Sequence, residues 1–307
     1  MEMIATIVFN VNNFVYDNRS ILNYMLVSFF VAGCEAVLYV LGLVLFVFNL
    51  HQFDLAVAIY VISFLVWIII EVYTMNYFAF AMIIDFKKLL IKGGKPDLLR
   101  GISETWQYSW LIFKWAIFEG SVIWVLERLG VARGILLSMF SELTAIAAGI
   151  TFSVASFFVQ PIIIDKRLGP IKSMVISSKM VYENGIMKNM FSIALSKNKE
   201  IAERIQKGKS LGKTPFGRFL QIVMVIGAII FIYGVVLVAS YTGPDGGQQG
   251  LNAAIHALEY IISGGVIVGI VYFYMLMGNV SLLKTVMYDY FSGEKRFTKM
   301  YAPLPAE

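Results

Sequence analysis

The sequence predicts an all-α fold: a polytopic bundle of about six transmembrane helices, with amphipathic helices at its cytoplasmic interface. Hydrophobic residues make up 59% of the 307 residues and charged residues only 15%, whereas a soluble domain carries roughly 25% charged residues. Six apolar stretches are long enough, or nearly so, to cross the ~30 Å hydrocarbon layer of a bilayer. The basic residues are concentrated in alternate connections between those stretches.

The apolar stretches define one integral membrane domain over residues 1–307. The first two are long enough to tilt or to continue as helix beyond the hydrocarbon, and the third is short and contains Lys114 and Glu119. Residues 131–140 either prolong the fourth helix or lie at the interface. The predicted spans are Ile21–Leu50, Leu55–Ile84, Trp110–Leu126, Ala147–Ile164, Phe219–Tyr241 and Leu258–Leu283.

Lysine and arginine indicate the orientation, because the cytoplasmic loops of membrane proteins are enriched in both. The connection before the third span has five of them and the one before the fifth has twelve, whereas the opposite side has only Arg128 and Arg133. We therefore expect a cell-membrane protein with both termini in the cytoplasm. The start, Met1-Glu2-Met3, lacks the basic region of a signal peptide, so the first span is predicted to be a permanent anchor.

The connection 165–218 is predicted to form amphipathic helices on the cytoplasmic membrane surface. Gly169-Pro170 favours a helix start, since proline suits the first helical turn. The apolar or small positions that follow at helical spacing are Ile171, Met174, Val175, Ser178, Val181 and Tyr182. The residues expected to contact anionic lipid headgroups are Lys172, Lys179, Lys188, Lys197, Lys199 and Arg204. A solvated basic loop is the alternative, above all for Gly208–Gly217.

A similar arrangement precedes the third span, where Pro96 opens an amphipathic run. The apolar positions of that run are Leu98, Leu99, Ile102 and Trp106. Both connections follow the order of span, basic patch, Gly with Pro, amphipathic helix and next span. The match is too loose to define an internal repeat.

Two segments resemble a known family. Thr151–Lys179 has the sequence TFSVASFFVQPIIIDKRLGPIKSMVISSK, and Leu282–Gly293 has the sequence LLKTVMYDYFSG. Both are similar to hallmark segments of the prokaryotic membrane-protein family catalogued as domain of unknown function 6159, and the resemblance extends from Tyr77 to Tyr301. The chain departs from that family at Lys166-Arg167, where an acidic residue is usual, and in an insertion at about 189–218.

What the family resemblance implies is a helical membrane architecture. No activity, cofactor or catalytic residue is established for that family, so none is carried over. A more distant likeness is to the membrane domain that precedes some glycerophosphodiesterases, without their catalytic barrel.

Charged residues inside the predicted spans are the most informative polar positions: Glu35, Glu71, Lys114 and Glu119. A carboxylate at a helix centre costs about 2.5–3.5 kcal/mol on insertion scales, so each is expected to face the bundle and to find a partner. The carboxylates either form a proton or cation pathway or lock helix packing as protonated, hydrogen-bonded groups. Lys114 lies about one turn inside its span and can extend to the surface.

Other sites are not predicted. His51 and His256 are the only histidines and belong to no ligand motif, so we expect no metal and no cofactor. The sequence contains no phosphate-binding loop, zinc-protease motif or nucleophile elbow, so we expect no catalytic residue. Gly265-x-x-x-Gly269 has the spacing of a helix-packing motif.

The function predicted on these grounds is a non-catalytic membrane scaffold or accessory subunit, packing with itself or with other membrane proteins. The alternative is a channel or transporter for an ion, a proton or a small solute that uses the carboxylates in the spans. A lipid-modifying enzyme would need an interfacial polar cluster that the sequence does not reveal. The basic residues lie beside apolar spans, so anionic lipid and not nucleic acid is the expected partner.

Overall fold

The structure, a computed structural model, describes residues 2–47, 53–129, 148–186, 188 and 274–302. All regular secondary structure in these ranges is helical, which confirms the predicted fold class at that level. Several predicted features lie outside them. These are the span Phe219–Tyr241, the first part of Leu258–Leu283 with Gly265 and Gly269, residues 131–140, both histidines, and Lys197, Lys199 and Arg204.

The described helices follow one another along most of the chain. They are α1 (Glu2–Asp17), α2 (Asn23–Val47), α3 (Phe53–Lys92), α4 (Leu98–Thr105), α5 (Ser109–Leu129), α6 (148–155), α7 (Val159–Lys166), α8 (Pro170–Glu183) and α9 (274–291). Short 3-10 helices at Arg19–Leu22, Trp106–Tyr108 and Thr298–Tyr301 lie before α2, before α5 and after α9.

Within the described ranges, three helical stretches are long and apolar enough to cross a membrane: Arg19–Gly42, Ile62–Lys92 and Ala148–Lys166. They correspond to the predicted first, second and fourth spans. The predicted third span is the helix α5, which is not one of the three. The number of six spans stays a prediction.

A turn at 156–158 separates α6 from α7 within the fourth predicted span. Pro161 has no N–H to donate, so it would break a continuous helix at this point. Because α7 starts at Val159, Pro161 falls in its first turn, where no N–H donor is needed. In the turn between the two helices, the N–H of Phe158 donates to the Ser177 hydroxyl of α8, at 2.8 Å.

The helices alternate in direction. The hydroxyl of Tyr24, at the start of α2, donates to the Asp97 carbonyl just after α3, at 2.7 Å. The hydroxyl of Tyr108, just before α5, donates to the Ile164 carbonyl near the end of α7, at 3.3 Å. Arg296, just after α9, donates to Asp165 near the end of α7, at 2.7 Å. We call the end of the bundle where α3, α7 and α9 terminate the basic end.

Helix α1 was not predicted from the sequence. Its buried residues Ile4, Ile7, Val11 and Val15 recur every three or four positions, which is the period of a helix with one buried face. The ring of Phe14 packs edge-on against Phe86 of α3, with the centroids 5.4 Å apart. At 16 residues α1 is shorter than a span, so a search for long apolar runs passes over it.

Two of the amphipathic helices predicted at the basic end are present as α4 and α8, and the rest of the predicted amphipathic connection, residues 189–218, lies outside the described residues. Helix α4 starts after Asp97, whose carboxylate accepts the N–H of Arg100 at 3.2 Å. Helix α8 starts at Pro170 as predicted. Its predicted apolar stripe is divided, because Val181 is buried with Ser173 and Ser177 whereas Ile171, Val175 and Tyr182 are exposed.

Candidate functional site

Asn76, on α3, is the centre of a group of polar side chains inside the bundle. Its amide nitrogen donates to the Glu119 carboxylate of α5 at 2.7 Å and to the Val72 carbonyl of its own helix at 2.9 Å. Its amide oxygen accepts from Gln160 of α7 at 2.8 Å. Asn76 is buried, so one neutral side chain links three helices without contact with solvent.

Lys284, on α9, adds an amine to this group of side chains. Its ammonium lies over the ring of Phe157, 5.0 Å from the centroid, and is close enough to Glu119 for their charges to attract. We call Asn76, Glu119, Gln160 and Lys284 the interior polar cluster. Lys284 was not predicted as a site residue, because it lies one residue beyond the predicted end of the sixth span.

Glu35 and Glu71 each bind a hydroxyl of a neighbouring helix. Thr74 of α3 donates to Glu35 of α2 at 2.8 Å, and Tyr274 of α9 donates to Glu71 of α3 at 2.7 Å. The two carboxylates are close enough for their charges to interact. Lys114, which the sequence analysis grouped with them, is exposed and lies over the ring of Trp110, 5.0 Å from its centroid.

A second set of charges ties the helices together at the basic end. Asp165 of α7 forms ion pairs with Lys87 of α3 and with Arg296, which is 2.7 Å away. Arg296 also binds Asp289 of α9 at 2.6 Å. We call Lys87, Asp165, Asp289 and Arg296 the charged network. Burial alone would lower the pKa of Arg296, but its hydrogen bonds to Asp289 and Asp165 outweigh burial and raise it.

Asp289 also holds the chain that follows α9. Its carboxylate accepts the N–H of Phe297 at 3.2 Å and the hydroxyl of Tyr301 at 2.7 Å. Burial, followed by the bond to Asp289, raises the pKa of Tyr301 above its ordinary value, so its hydroxyl stays a donor in alkaline solution as well. The segment 295–301 is therefore folded back onto the end of α9.

Asp85, near the end of α3, has the same role for the chain that follows α3. Its buried carboxylate accepts the N–H of Asp97 at 2.8 Å and binds Arg100 at 2.5 Å. The turns that follow the two helices contain Gly93 and Gly293, at φ of 71° and 83°, in the left-handed region that favours glycine. A buried aspartate thus receives a backbone N–H and an arginine from the returning chain at both places.

Of the residues predicted to contact anionic lipid, the structure describes three. Lys172 and Lys179 are exposed on α8, and Lys188 is exposed beyond it. Lys179 lies 3.7 Å from Glu183, one turn along the helix.

Asp85, Asp165 and Asp289 were not predicted as site residues, although the sequence contains a signal for them. Each is a single aspartate at the end of an apolar run with lysine or arginine following it. Chemically, the interior polar cluster joins a carboxyl to two amides and an amine, and the charged network joins two carboxylates to a lysine and an arginine. Such pairs suit the fixing of helix positions, and the interior polar cluster also contains groups able to exchange a proton. Among the described residues, no three or more His, Cys, Asp or Glu side chains form a group suited to a metal ion.

These features define a helical protein with three helices able to cross a membrane and with polar contacts between its helices. In comparisons with known proteins, no family model, no curated protein and no solved structure matches the chain. The resemblance to the domain of unknown function 6159 family is carried by the quoted segments and stays a prediction.

Proposed function

We propose that the chain is a non-catalytic six-span membrane protein, with both termini in the cytoplasm, that serves as a scaffold or accessory subunit. The observation that carries the proposal is that Glu35, Glu71 and Glu119 each accept a hydrogen bond from a neighbouring helix. Bonds of this kind between membrane helices stabilise packing by about 0.6 kcal/mol on average. Each of the three carboxylates thereby holds one helix of the bundle against its neighbour.

Two features support the topology. The helix directions alternate, so that α2 and α5 start at the basic end, where α3, α7 and α9 terminate. The exposed lysines Lys92, Lys95 and Lys172 lie in or after helices that terminate there. That is the distribution expected for the cytoplasmic side of a membrane protein.

Cysteine labelling in intact cells tests this topology. With Cys34, the only cysteine, replaced by alanine, we expect Gly247→Cys to react with a membrane-impermeant maleimide. Gly247 belongs to the connection that the sequence predicts outside the cell. Lys95→Cys, in the exposed turn after α3, is expected to react only after the cells are lysed. Labelling of Lys95→Cys in intact cells would show that the orientation is wrong.

Native mass spectrometry after purification in mild detergent tests the scaffold function. We expect a complex of defined mass, either several copies of this chain or this chain with a second membrane protein at a fixed ratio. A chain that remains a monomer without partners in several mild detergents and in native nanodiscs would contradict the proposal.

A second candidate function, the passage of protons or cations, is favoured by the interior polar cluster. Glu119 of α5 and Lys284 of α9 lie close enough to interact electrostatically, and a carboxyl and an amine are both able to exchange protons. Buried ionisable residues of this kind mark ion pathways in many membrane proteins. Flux in reconstituted liposomes distinguishes this function from the scaffold, because a scaffold leaves the liposomes as tight as lipid alone.

A further inference from the structure

Helix α8 leaves an apolar stripe without a partner among the described residues. Ile171, Val175 and Tyr182 are 63%, 58% and 88% exposed. At about 100° per residue they fall within about 40° of one another around the helix axis. Three apolar side chains in so narrow an arc form a continuous ridge along the helix.

The opposite face of α8 is fixed to the bundle, so the direction of the stripe is fixed as well. Ser173, Ser177 and Val181 are buried on that face. The Ser177 hydroxyl accepts the N–H of Phe158 in the turn before α7, at 2.8 Å. Small serines let α8 lie close against the bundle, and a rotation that hid the stripe would break this hydrogen bond.

Two lysines flank the stripe. Lys172 and Lys179 are exposed and lie about 60–80° from its middle. Glu183 lies near Lys179, whereas Lys172 has no ion pair among the described residues. A long lysine side chain places its stem along apolar surroundings and its ammonium in a polar layer. An apolar ridge with cations along one flank is complementary to an anionic headgroup layer above hydrocarbon.

The position of α8 in the chain favours the same partner. α7 ends at Lys166, and α8 begins at Pro170 after a connection of three residues. α8 therefore starts three residues after the end of the candidate span Ala148–Lys166, where the proposed topology places the cytoplasmic surface. Trp106 and Trp110 are also exposed near this end, at 72% and 63%, and tryptophan is enriched at the interfaces of bilayers.

We infer that α8 lies in the plane of the cytoplasmic leaflet with Ile171, Val175 and Tyr182 embedded among anionic phospholipid headgroups. Lys172 and Lys179 bind the phosphates beside them. The inference rests on the proposed membrane topology and adds to it an anionic-lipid contact that fixes the end of α7. A second protein on the same stripe is the outcome that the experiment must distinguish.

Spin labelling of the full chain in vesicles tests the inference. In the Cys34→Ala background, a nitroxide is attached at Val175→Cys and, as a matched control about two turns along α8 on its polar side, at Glu183→Cys, where the side chain is exposed. The vesicles contain phosphatidylcholine with or without phosphatidylglycerol. Collisions with oxygen, which concentrates in lipid, are compared with collisions with a water-soluble nickel chelate. We expect the oxygen-to-nickel ratio to be several-fold higher at Val175 than at Glu183.

The anionic lipid is tested in the same vesicles. The ratio at Val175 is expected to fall when phosphatidylglycerol is omitted or salt is raised, because salt screens surface charge. Lys172→Gln with Lys179→Gln should remove this dependence on phosphatidylglycerol. An equal ratio at Val175 in both lipids would overturn the anionic-lipid contact.

A label at Leu38→Cys, on the exposed face of α2 (69% exposed), separates failure of this inference from failure of the topology. If the label at Leu38 collides mainly with oxygen and the label at Val175 mainly with the nickel chelate, the inferred docking of α8 is wrong. The proposal that α2 spans the membrane is then retained. If Val175 meets neither reagent, protein covers the stripe, and the inference is again overturned. If Leu38 itself meets mainly nickel, the proposed membrane topology is wrong.

Discussion

Replacing Asp289 by alanine is expected to lower the free energy of unfolding by about 3 kcal/mol, because it removes one partner of a buried ion pair. The carboxylate is fully buried and binds Arg296, the N–H of Phe297 and the hydroxyl of Tyr301. Without it, the buried N–H of Phe297 loses its acceptor, and the half-buried hydroxyl of Tyr301 keeps only the Val286 carbonyl at 3.4 Å, which adds to the loss. The expected loss of stability lies at the lower end of the range for buried ion pairs. The reason is that the Arg296 side chain is about one-third exposed (33%) and keeps its bond to Asp165.

Glu294→Ala is the matched control. Glu294 also contacts Arg296, at 3.2 Å, but its side chain is exposed, and an exposed pair contributes about 0–1 kcal/mol. Unfolding in detergent micelles, followed by circular dichroism, measures both variants. Limited proteolysis should cut Asp289→Ala, but not Glu294→Ala, within residues 295–302. Equal stability of the two variants would show that Asp289 does not hold the C-terminal segment.

The charged network and the interior polar cluster connect the same pair of helices. α3 and α7 are joined by Lys87 and Asp165 at the basic end and by Asn76 and Gln160 inside the bundle. Two polar contacts at different depths fix both the rotation and the axial shift of one helix against the other. Apolar packing alone fixes them less strictly, since lipid tails are as apolar as the side chains between helices.

The sequence was sufficient to predict the long helices and the alternation of their directions. Apolar length and the lysine and arginine bias depend on composition, and the described helices α2, α3, α5 and α7 lie where those signals predicted them. Pro170 was sufficient to predict the residue at which α8 starts. These features depend on neighbouring residues, so they can be recognised in a sequence.

The contacts of the candidate site depend on residues that are distant in the chain. Asn76 and Gln160 are separated by 84 positions, and Asp165 and Arg296 by 131. A neutral amide in an apolar run costs less to insert than a charge, so Asn76 did not stand out beside Glu71. Lys114 did stand out, yet it lies over Trp110 because its long side chain reaches the surface.

Asn76→Leu is expected to have the second large effect, lowering the free energy of unfolding by about 2–3 kcal/mol. The change keeps most of the volume but removes the bonds to Glu119 and Gln160. It also leaves the Glu119 carboxylate without its amide donor, and an unpartnered carboxyl inside a membrane is costly. Unfolding in mixed micelles of increasing sodium dodecyl sulfate measures the loss.

Glu119→Gln is the matched variant that separates packing from ion passage. The amide oxygen of glutamine still accepts the hydrogen bond of Asn76, so we expect stability within about 1 kcal/mol of wild type. Liposomes that contain the wild-type chain and a pH-sensitive dye are expected to leak protons no faster than empty liposomes. A proton flux in wild type that Glu119→Gln abolishes, while the variant remains folded, would instead assign the interior polar cluster to ion passage. In that case Lys284, the cation beside Glu119, would be the next residue to replace, since a pathway needs its charge and a packing contact does not.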